Sequence, residues 1–314
     1  MTGNNHPQVR AADAPAIAEA AARLAAGEPV AVPTETVYGL AARADRAEAV
    51  AAIYRAKGRP DFNPLIVHVP GLAEAERLAL FDDRARKLAT AFWPGPLTLV
   101  LPLRPEASVA PAVTAGLPTI ALRCPAHPVM RALLQASGLP LAAPSANRSG
   151  AVSPTTAAHV AQSLGPAIGL VLDGGATAAG NESTLVGPRP EGGAVLRPRP
   201  GPQEALAALL GQPLAPAASA GIEAPGQLAS HYAPGKPVRL GATSAGPQEF
   251  LIGFGPVAGA VSLSATGDLA EAAARLYACL HLAAAAPEPC VAVARVPDGG
   301  IGRAITDRLR RAAA

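Results

Sequence analysis

A helix, a polar loop and a strand follow one another in RAEAVAAIYRAKGRPDFNPLIVHV, residues 46–69. The alanine-rich first half predicts a helix over Arg46–Lys57, and the Gly and Pro that follow predict its end. The apolar run Leu65–Val69 predicts a short buried strand. Because side chains alternate between the two faces of a strand, His68 lies opposite the apolar residues of this run. The stretch is typical of an α/β fold.

The same alternation of strands and helices continues through the first two thirds of the chain. Strands are predicted at Pro29–Val32, Leu65–Val69, Leu97–Leu101, Thr119–Arg123, Leu139–Ala142, Gly169–Leu172, Ser183–Val186 and Ala194–Leu196. Helices are predicted at Ala14–Ala26, Arg46–Lys57, Asp82–Phe92, Pro128–Ser137, Thr155–Ser163 and Pro202–Leu210. This order favours a mixed α/β domain over residues 1–210.

A linker and a second, smaller α/β domain are predicted to follow. Residues 211–236 are rich in Pro, Ala, Gly and Ser without helical or strand periodicity, which is typical of an interdomain linker. In residues 237–314, strands are predicted at Val238–Leu240, Phe250–Phe254, Val257–Leu263 and Cys290–Val296, and helices at Asp268–Ala286 and Ile301–Ala313. The arginines of the last helix are interpreted as a solvated basic face: Arg303, Arg308, Arg310 and Arg311.

Composition narrows the class of protein. The chain has 314 residues, 50% hydrophobic and 16% charged, which is enough apolar material for packed cores. A net charge of +3 and 3% aromatic residues argue against a nucleic-acid-binding protein. The 3 cysteines lack metal-ligand spacing and predict neither a zinc site nor a disulfide framework. No membrane span or signal peptide is visible, so we expect a soluble cytoplasmic protein.

Polar residues gather where the predicted strands end, which is where ligand sites form in α/β folds. The clusters are Pro33–Leu40, Lys57–Pro60 with Asn63–Leu65, Pro118–Pro125, Ala143–Gly150 with Ser153, and Gly180–Thr184 with Leu196–Gly201. Each cluster taken alone also fits an ordinary turn, a helix end or a salt bridge. Their recurrence indicates one cleft that binds a polyanion.

Three residues of these clusters carry most of this inference. Lys57 and Arg59 on a stiff loop suit a polyphosphate, because Arg can fork two oxygens and Lys supplies a point charge. Arg123 ends an apolar strand, a costly place for a charge unless an anion or a carboxylate meets it. A salt bridge to a neighbouring helix would serve Arg123 equally well.

Several common catalytic motifs are absent from the sequence. It contains no G-x-x-x-x-G-K-[ST] phosphate loop, no G-x-S-x-G elbow and no histidine pair with zinc-ligand spacing. Gly253–Gly255 and Gly299–Gly302 are too incomplete for dinucleotide binding and are interpreted as turns. Covalent catalysis therefore has no evident nucleophile.

In order and spacing, these segments resemble the YrdC family of threonylcarbamoyl-AMP synthases in its long two-domain form. The matching segments are Pro33–Leu40, Lys57–Val69, Phe92–Leu101, Pro118–Pro125, Pro144–Ser153, Asn181–Val186 and Leu196–Gly201, with weaker matches at His231–Pro234 and Ile301–Leu309. The resemblance implies a YrdC-like twisted mixed-sheet domain with a ligand cleft. It also implies a smaller C-terminal Rossmann-like α/β domain, joined to the first by a long linker.

The resemblance implies a reaction as well. Such enzymes join L-threonine, bicarbonate or CO2 and ATP into threonylcarbamoyl-AMP and pyrophosphate, using Mg2+ held mainly by the ATP phosphates. A partner transferase then passes the threonylcarbamoyl group to an adenosine of certain tRNAs. The chain itself would meet tRNA only indirectly or weakly, and no membrane.

Site residues carry over position by position from this resemblance. Those implied to hold ATP are Lys57, Arg59, Asn63, Thr119, Ser145, Asn147, Ser153, Arg197 and Tyr232, the last closing over the nucleotide from the linker. Those implied to hold threonine are Thr36, His68, Arg123 and Ser183. Lys57 and Arg59 are the implied catalytic pair, since they would neutralise phosphate charge. Ala143 stands where many members have threonine, so only its backbone could contact the amino acid.

Two other functions are compatible with parts of the pattern. One is a non-enzymatic RNA-binding protein that uses the Lys57/Arg59 and Arg197/Arg199 surfaces, which the low net charge and scarce aromatic residues disfavour. The other is the YrdC-like module of a hydrogenase-maturation carbamoyltransferase. Those proteins carry acylphosphatase and Cys-rich zinc regions, and neither is visible in this sequence.

Overall fold

The computed structural model describes residues 6–60, 62–189, 192–197, 203–211, 215–216 and 231–314. The strands of the first domain are β1 (Gln8–Ala11), β2 (Val30–Val32), β3 (Gly39–Arg43), β4 (Ile66–His68), β5 (Leu97–Pro102), β6 (Thr119–Arg123), β7 (Leu141–Ala142), β8 (Leu170–Asp173), β9 (Thr184–Arg189), β10 (Gly192–Arg197) and β11 (Ala215–Pro216). Its helices are α1 (Ala14–Ala26), α2 (Ala47–Lys57), α3 (Leu72–Leu78), α4 (Asp83–Phe92), α5 (Pro111–Thr114), α6 (Pro128–Ser137), α7 (Ala157–Leu164) and α8 (Gln203–Leu210).

These strands form one mixed sheet in the order β1-β8-β2-β3-β7-β4-β6-β5-β9-β10-β11. Parallel pairs such as β4 with β6 alternate with antiparallel pairs such as β5 with β6. The register places His68 beside Arg123, and Thr98 on the other side of Arg123. Polar side chains from three neighbouring strands thus meet near the centre of the sheet.

Helix α1 shows how an alanine-rich segment is stabilised here. Asp13 caps its first turn by accepting a hydrogen bond from the Ala16 backbone nitrogen at 2.8 Å, and Gly27 ends it in the left-handed conformation. Ala16, Ala20 and Leu24 recur on one face and are fully buried against α6 and β8. Burial of this face, more than the intrinsic propensity of alanine, fixes the helix in place.

The two faces of the sheet are covered differently. One face packs against α2, α4 and α7 through a large core that includes Ile53, Leu88 and Leu122. The other face packs against α1 and α6 only at one end. Ile66 and His68 point to the second face, because residues two apart on a strand share a side. That partly uncovered area is where a cavity forms.

The second domain is a smaller α/β unit. It contains β12 (Val238–Ala242), β13 (Glu249–Gly253), β14 (Val261–Ser262), β15 (Cys290–Ala294), α9 (Leu269–Ala285) and α10 (Ile301–Ala312). Its sheet has the order β12-β15-β13-β14, and every pair in it is parallel. The prediction of two α/β domains, the first with a mixed sheet, is confirmed.

Some elements differ from the sequence-based prediction. Strands β1 and β3 and helices α3 and α5 were not predicted, and the strand predicted at Val257–Leu263 is only Val261–Ser262. In place of its first half the chain turns, with Phe254 and Val257 bridged to each other. Strand β11 shows that the predicted linker still pairs with β10 of the first sheet at residues 215–216. Residues 212–214 and 217–230 of that linker lie outside the described residues.

The two domains pack closely against each other. Val37, Val152 and Tyr232 belong to the core cluster of the second domain, although the first two come from the first domain. At Gly180, where φ is +61°, a Cβ atom would lie 1.8 Å from the Ala274 backbone oxygen of α9. Only glycine allows this approach of the two backbones. In the part of the chain that the structure describes, no helix is long and apolar enough to cross a membrane.

Replacing Gly180 with Ala should therefore weaken the domain contact. Gly175→Ala is the matched control, because Gly175 also has a positive φ, +83°, but has nothing within 4 Å of the added Cβ. Both variants should lose about 1–2 kcal/mol from backbone strain, and Gly180→Ala should lose more because α9 must move. Urea unfolding midpoints measure the difference. Equal losses in the two variants would contradict this account of the interface.

Candidate active site

A polar cavity of about 50 Å³ lies over the central strands, where the first domain and the end of the linker meet the second domain. Its lining consists of Thr36, Val37, Arg59, Ile66, His68, Arg123, Ala143, Pro144, Ser145, Glu182, Ser183, Arg197, His231 and Tyr232. Strands β4, β6 and β10 contribute part of this lining, and the loops after β2 and β7 contribute much of the rest. Loops held by a rigid sheet are the usual place for binding residues.

Arg123 is held by a carboxylate from the loop after β2. Its guanidinium lies 2.7 Å from Glu35 Oε1 and donates to Thr36 Oγ1 at 2.9 Å. Only 4% of the Arg123 side chain and 16% of the Glu35 side chain are exposed. Burial would raise the pKa of Glu35, but the charge and hydrogen bond of Arg123 outweigh it and lower that pKa. The partner that the sequence requires for Arg123 is thus a loop carboxylate and not a helix residue.

His68 faces the same cavity from β4. Its side chain is buried, and burial together with the charge of Arg123 lowers its pKa to about 3. The ring is therefore neutral near pH 7, with one nitrogen that donates and one that accepts. Its Nδ1 has no hydrogen-bond partner among the described residues. A neutral ring beside a buried cation can bind a polar group without adding charge.

Arg59 and Arg197 bring two positive charges to the lining. Arg59 donates to the backbone oxygens of Pro64 at 3.0 Å and Asn63 at 3.3 Å. Arg197 donates to the backbone oxygen and to the hydroxyl of Ser183, both at 3.1 Å. Burial, and to a smaller extent the charge of Arg197, lowers the pKa of Arg59 to about 10. Two neighbouring cations that disfavour each other favour an anionic ligand.

Lys57 lies directly behind the lining. Its Nζ donates to the backbone oxygens of Ser145, at 2.6 Å, and Asn147. Burial, with the charge of Arg59, holds the pKa of Lys57 well below its usual value. In this structure Lys57 therefore fixes the loop that presents Ser145 to the cavity, and its predicted contact with ATP stays a prediction.

A buried carboxylate, Glu182, connects the cavity to the second domain. Its Oε1 accepts from Ser153 Oγ at 2.6 Å, and its Oε2 accepts from the Tyr277 hydroxyl of α9 and lies 3.6 Å from Arg308 Nε of α10. The Arg308 side chain is only 1% exposed. The prediction of a solvated basic face is wrong for Arg308, because a buried carboxylate needs a counter-charge.

Linker residues His231 and Tyr232 form the roof of the cavity. Tyr232 is buried with φ at +68°, and its ring stacks on Tyr277 with the centroids 5.3 Å apart. The His231 backbone nitrogen donates to a carbonyl of α10 at 3.2 Å, and that of Ala233 donates to Gly150 of the first domain at 2.9 Å. The roof is thereby tied to both domains.

Most residues carried over from the sequence meet at this cavity. Those that line it are Thr36, Arg59, His68, Arg123, Ser145, Ser183, Arg197 and Tyr232. Lys57, Asn147 and Ser153 bond to lining residues from behind. Sequence reasoning assigned no site role to Glu35, Glu182, Tyr277 or Arg308, although the first two stand in the polar clusters and the last in the matching tail.

Two further residues implied to hold ATP also lie outside the lining. Asn63 is buried, and its side-chain amide has no partner among the described residues. Thr119 starts β6 opposite Pro102, four residues before Arg123 and so roughly 13 Å away along the strand. The predicted contacts of both residues with ATP stay predictions.

The lining does not fit a dedicated protein site for Mg2+. Among the residues that the structure describes, no three His, Cys, Asp or Glu side chains are grouped as metal ligands. The two carboxylates of the cavity, Glu35 and Glu182, face arginines. Magnesium is commonly held through substrate phosphates with few protein ligands. Such an ion would have to enter with its phosphates.

Comparisons with known proteins agree with this architecture. Residues 22–198 match the family model described as Telomere recombination, which covers Sua5, YciO and YrdC, and residues 202–314 match the model of the Threonylcarbamoyl-AMP synthase C-terminal domain. The threonylcarbamoyl-AMP synthase of Bacillus subtilis is 40% identical over 324 residues, covering 95% of this chain and 93% of that protein.

Solved structures give the same result over both domains. The crystal structure of Pyrococcus abyssi Sua5 complexed with L-threonine matches with a TM-score of 0.86 and 35% identity, covering 95% of this chain and 94% of that one. A variant of that Sua5, with an adjacent histidine and tyrosine replaced by alanine, matches with a TM-score of 0.84 and 34% identity, over 95% and 92% of the two chains.

Fold, cavity and matches define an α/β enzyme with a YrdC-type catalytic domain and an appended C-terminal domain. The agreement extends over nearly the whole of both chains, which the hydrogenase-maturation module and the RNA-binding alternative do not explain. The chain belongs to the threonylcarbamoyl-AMP synthase family, in its two-domain form.

Replacing Glu35 with Gln should destabilise the protein in a pH-dependent way. Loss of one member of a buried ion pair costs about 3–5 kcal/mol. Since the folded pKa of Glu35 lies below its ordinary 4.5, this stabilisation is present above that value and is lost as the pH falls through the folded pKa. The difference in free energy of unfolding between the wild type and the variant should thus be largest above pH 4.5 and should shrink as the pH falls below it.

Urea unfolding across this pH range is the measurement, and Glu106→Gln is the control. Glu106 pairs with Arg104 at 3.2 Å on the surface, so its replacement should change little. A loss in Glu35→Gln that is the same at every pH would show that the charge of Glu35 is not what stabilises Arg123.

Proposed function

We propose that this enzyme joins L-threonine, bicarbonate or CO2 and ATP into threonylcarbamoyl-AMP and releases pyrophosphate. This is the first step in forming N6-threonylcarbamoyladenosine in tRNA. The observation that carries the proposal is the convergence of Arg59 and Arg197 with His68 and Arg123 in one buried cavity. In such a cavity, phosphates would bind at the end formed by Arg59 and Arg197, and an amino acid at the end formed around Arg123.

The amino-acid end is formed around Arg123. Sua5 of P. abyssi was solved in complex with L-threonine, and the residues carried over for threonine all line the cavity here. Arg123 would attract the threonine carboxylate, while the neutral His68 and the Ser183 hydroxyl offer hydrogen bonds to the amine or the side-chain hydroxyl. Ser183 is already oriented by Thr98 Oγ1 at 2.7 Å. Preset donors and acceptors reduce the entropy that binding loses.

The phosphate end is formed around Arg59 and Arg197. The threonine amine captures CO2 as a carbamate, with loss of a proton, and a carbamate oxygen then attacks the α-phosphorus in line while pyrophosphate leaves. No enzyme nucleophile is needed for this sequence of steps. Alignment of bound reactants can supply about 7–11 kcal/mol, and the two arginines stabilise the charge on the phosphates.

In this proposal Mg2+ binds together with ATP. When bound, Mg2+ neutralises phosphate charge. The paired state of Glu35 and Glu182 supports an ion held mainly by phosphate oxygens. The chain's own cations, Arg59 and Arg197, act on the same phosphates from the protein side.

The linker roof acts as a lid in this proposal. The cavity volume of about 50 Å³ is far below the ~300–1,000 Å³ typical of small-molecule pockets, so His231 and Tyr232 must move to admit ATP. Closure afterwards would keep water from the mixed anhydride of the product.

A labile adenylate must be consumed soon after it forms. We therefore propose that a separate transferase takes the threonylcarbamoyl group to tRNA, with the enzyme itself meeting tRNA only indirectly or weakly. Both partners would work where tRNA is modified, in the cytoplasm. The cavity recognises small molecules, and none of its lining residues is an exposed aromatic platform for a base.

The direct test of function incubates the protein with ATP, Mg2+, bicarbonate and labelled threonine, serine or valine. Pyrophosphate should appear together with a threonine-containing adenylate. Serine lacks one methyl group, worth about 1 kcal/mol, so it should be used less well than threonine. Valine leaves a buried polar group unpaired and should be rejected more strongly. Equal turnover of valine and threonine would contradict a site that reads the hydroxyl.

Arg59→Ala should abolish most synthesis because it removes a phosphate-binding charge. A hydrogen bond to a charged group is worth about 1.5–3 kcal/mol, which predicts a loss of at least about tenfold in kcat/KM for ATP. Arg55→Ala is the control, since Arg55 is an exposed arginine of α2, the helix that ends just before Arg59. Because Arg59 also bonds to its own loop, thermal unfolding of both variants is measured in parallel. Near-wild-type pyrophosphate release by folded Arg59→Ala would remove Arg59 from the site.

A further inference from the structure

Glu182 is a buried carboxylate that the reaction described above does not use. It lines the cavity beside Ser183, yet both of its oxygens are engaged by protein groups. Burying a carboxylate without compensation is costly, and a well-packed apolar residue would fill the same space at lower cost. The charge of Glu182 is therefore explained by the groups that its carboxylate holds in place.

The groups that hold Glu182 come from the second domain. Tyr277 of α9 donates its hydroxyl to Oε2, and Arg308 of α10 places its Nε 3.6 Å from the same oxygen. Both side chains are fully buried, and Arg308 also donates to the Ala304 backbone oxygen of its own helix at 3.0 Å. A charge and a hydroxyl have thus been placed inside the domain interface, both directed at one carboxylate.

On its other side, Glu182 holds groups of the first domain. It accepts the Ser153 hydroxyl at 2.6 Å. The preceding residues contact α9 as well: Asn181 donates to the Ala273 backbone oxygen at 3.4 Å, and Gly180 lies against the next residue of that helix. The following residue, Ser183, faces the cavity and accepts from Arg197. The segment that presents Ser183 is therefore fixed from the side of the second domain.

We infer that Tyr277 and Arg308 are positioning residues for synthesis: they fix the Glu182 carboxylate, which in turn holds Ser153 and the segment that presents Ser183 to the substrates. The second domain is then part of the active-site wall as well as the far anchor of the linker. This inference rests on the proposed function, because its readout is threonylcarbamoyl-AMP synthesis.

The electrostatics around Glu182 predict how its pKa changes when Arg308 is removed. The charged and titratable groups that face it are Arg197 from β10, Tyr277 from α9, Arg308 from α10, and His231 and Tyr232 from the linker. Burial would raise the pKa of Glu182, but the charges of Arg308 and Arg197 and the hydrogen bonds from Ser153 and Tyr277 outweigh it and lower that pKa. If Arg308 is removed, burial remains and the pKa of Glu182 must rise.

The experiment compares Tyr277→Phe and Arg308→Met with the control Arg310→Met in the full-length protein. Arg310 lies on the same helix, largely exposed, and pairs with Asp298 at the surface. Each of the two test variants should lose about tenfold or more in kcat/KM for threonine, because Tyr277→Phe removes a hydrogen bond to a charged group and Arg308→Met removes one member of a buried ion pair. Arg310→Met should keep the wild-type value.

The pH profile separates positioning from a merely structural role. In both test variants the acidic limb of the kcat profile should move to higher pH, since protonation of Glu182 now releases Ser153 and its own segment. Adding Glu182→Gln to Arg308→Met should abolish that shift, because glutamine does not titrate. Burial lowers the pKa of His231 to about 4, and the charge of Glu182 raises it. Loss of that charge can therefore only lower the pKa of His231 further, so His231 does not account for a shift of the acidic limb to higher pH.

The outcomes are distinguishable from failure of the proposed function. If the wild type makes no threonylcarbamoyl-AMP, the proposed function is wrong. If the wild type is active, then wild-type rates in Tyr277→Phe, or a loss that is the same at every pH and persists in the double variant, would overturn the positioning role. Should Arg308→Met fail to fold, Tyr277→Phe decides alone, because it removes only a hydroxyl.

Discussion

Charge balance around a buried cavity is the constraint on which this structure depends. Arg59, Arg123, Arg197 and Arg308 lie in or beside it, together with Lys57, and the described residues set two carboxylates against them, Glu35 and Glu182. Glu35 forms an ion pair with Arg123, and Glu182 forms one with Arg308, while Lys57 and Arg59 donate to backbone oxygens. Cations such as Lys57 and Arg59, whose hydrogen bonds described here go to neutral backbone oxygens, still favour an anionic ligand. The excess of positive charge is thus concentrated where phosphates would bind.

This balance also explains how the second domain of this chain meets the first. The first domain has its own cores and its own sheet, but one face of that sheet is left partly uncovered at Ile66, His68 and Arg123. Covering that face with an apolar helix would remove the cavity. The structure covers it with a linker tyrosine, which is held in turn by Tyr277 of the second domain, while Tyr277 and Arg308 hold the lining residue Glu182. The cavity and its polar lining residues are thereby preserved.

The sequence predicts those parts of the fold that local pattern determines. Helix α1 and strand β6 have their predicted bounds, because one has a cap and an apolar face and the other an apolar run that begins with the β-branched residues Thr119 and Ile120. Strand β3 was missed because Gly39–Arg43 contains only Gly, Leu, Ala and Arg, residues without strand preference, and its pairing with β2 and β7 decides its structure.

For the site, residue type and position predicted Arg59 on its loop and Arg123 at its strand end in one cleft, and the family resemblance implied His68 there; all three line the cavity. The sequence could not reveal that Glu182 meets Tyr277, 95 residues away, or that Arg308 turns inward while Arg310 stays exposed. Helical spacing says which arginines share a face but not which face meets the other domain. Long-range pairing of this kind is visible only when both domains are in place.

One side chain, Tyr277, contacts both the roof of the cavity and Glu182 in its wall. Tyr277 stacks on Tyr232 of the linker and donates its hydroxyl to Glu182 of the wall. A lid that opens by moving Tyr232 exposes one face of the Tyr277 ring, and the ring gives up favourable stacking in doing so. The hydroxyl of the same ring stays directed at a carboxylate that also holds Ser153. Because one rigid ring makes both contacts, the position of the linker and the geometry of the wall are mechanically coupled. In the proposed function, closure of the roof over the substrates would therefore also complete the packing around Glu182.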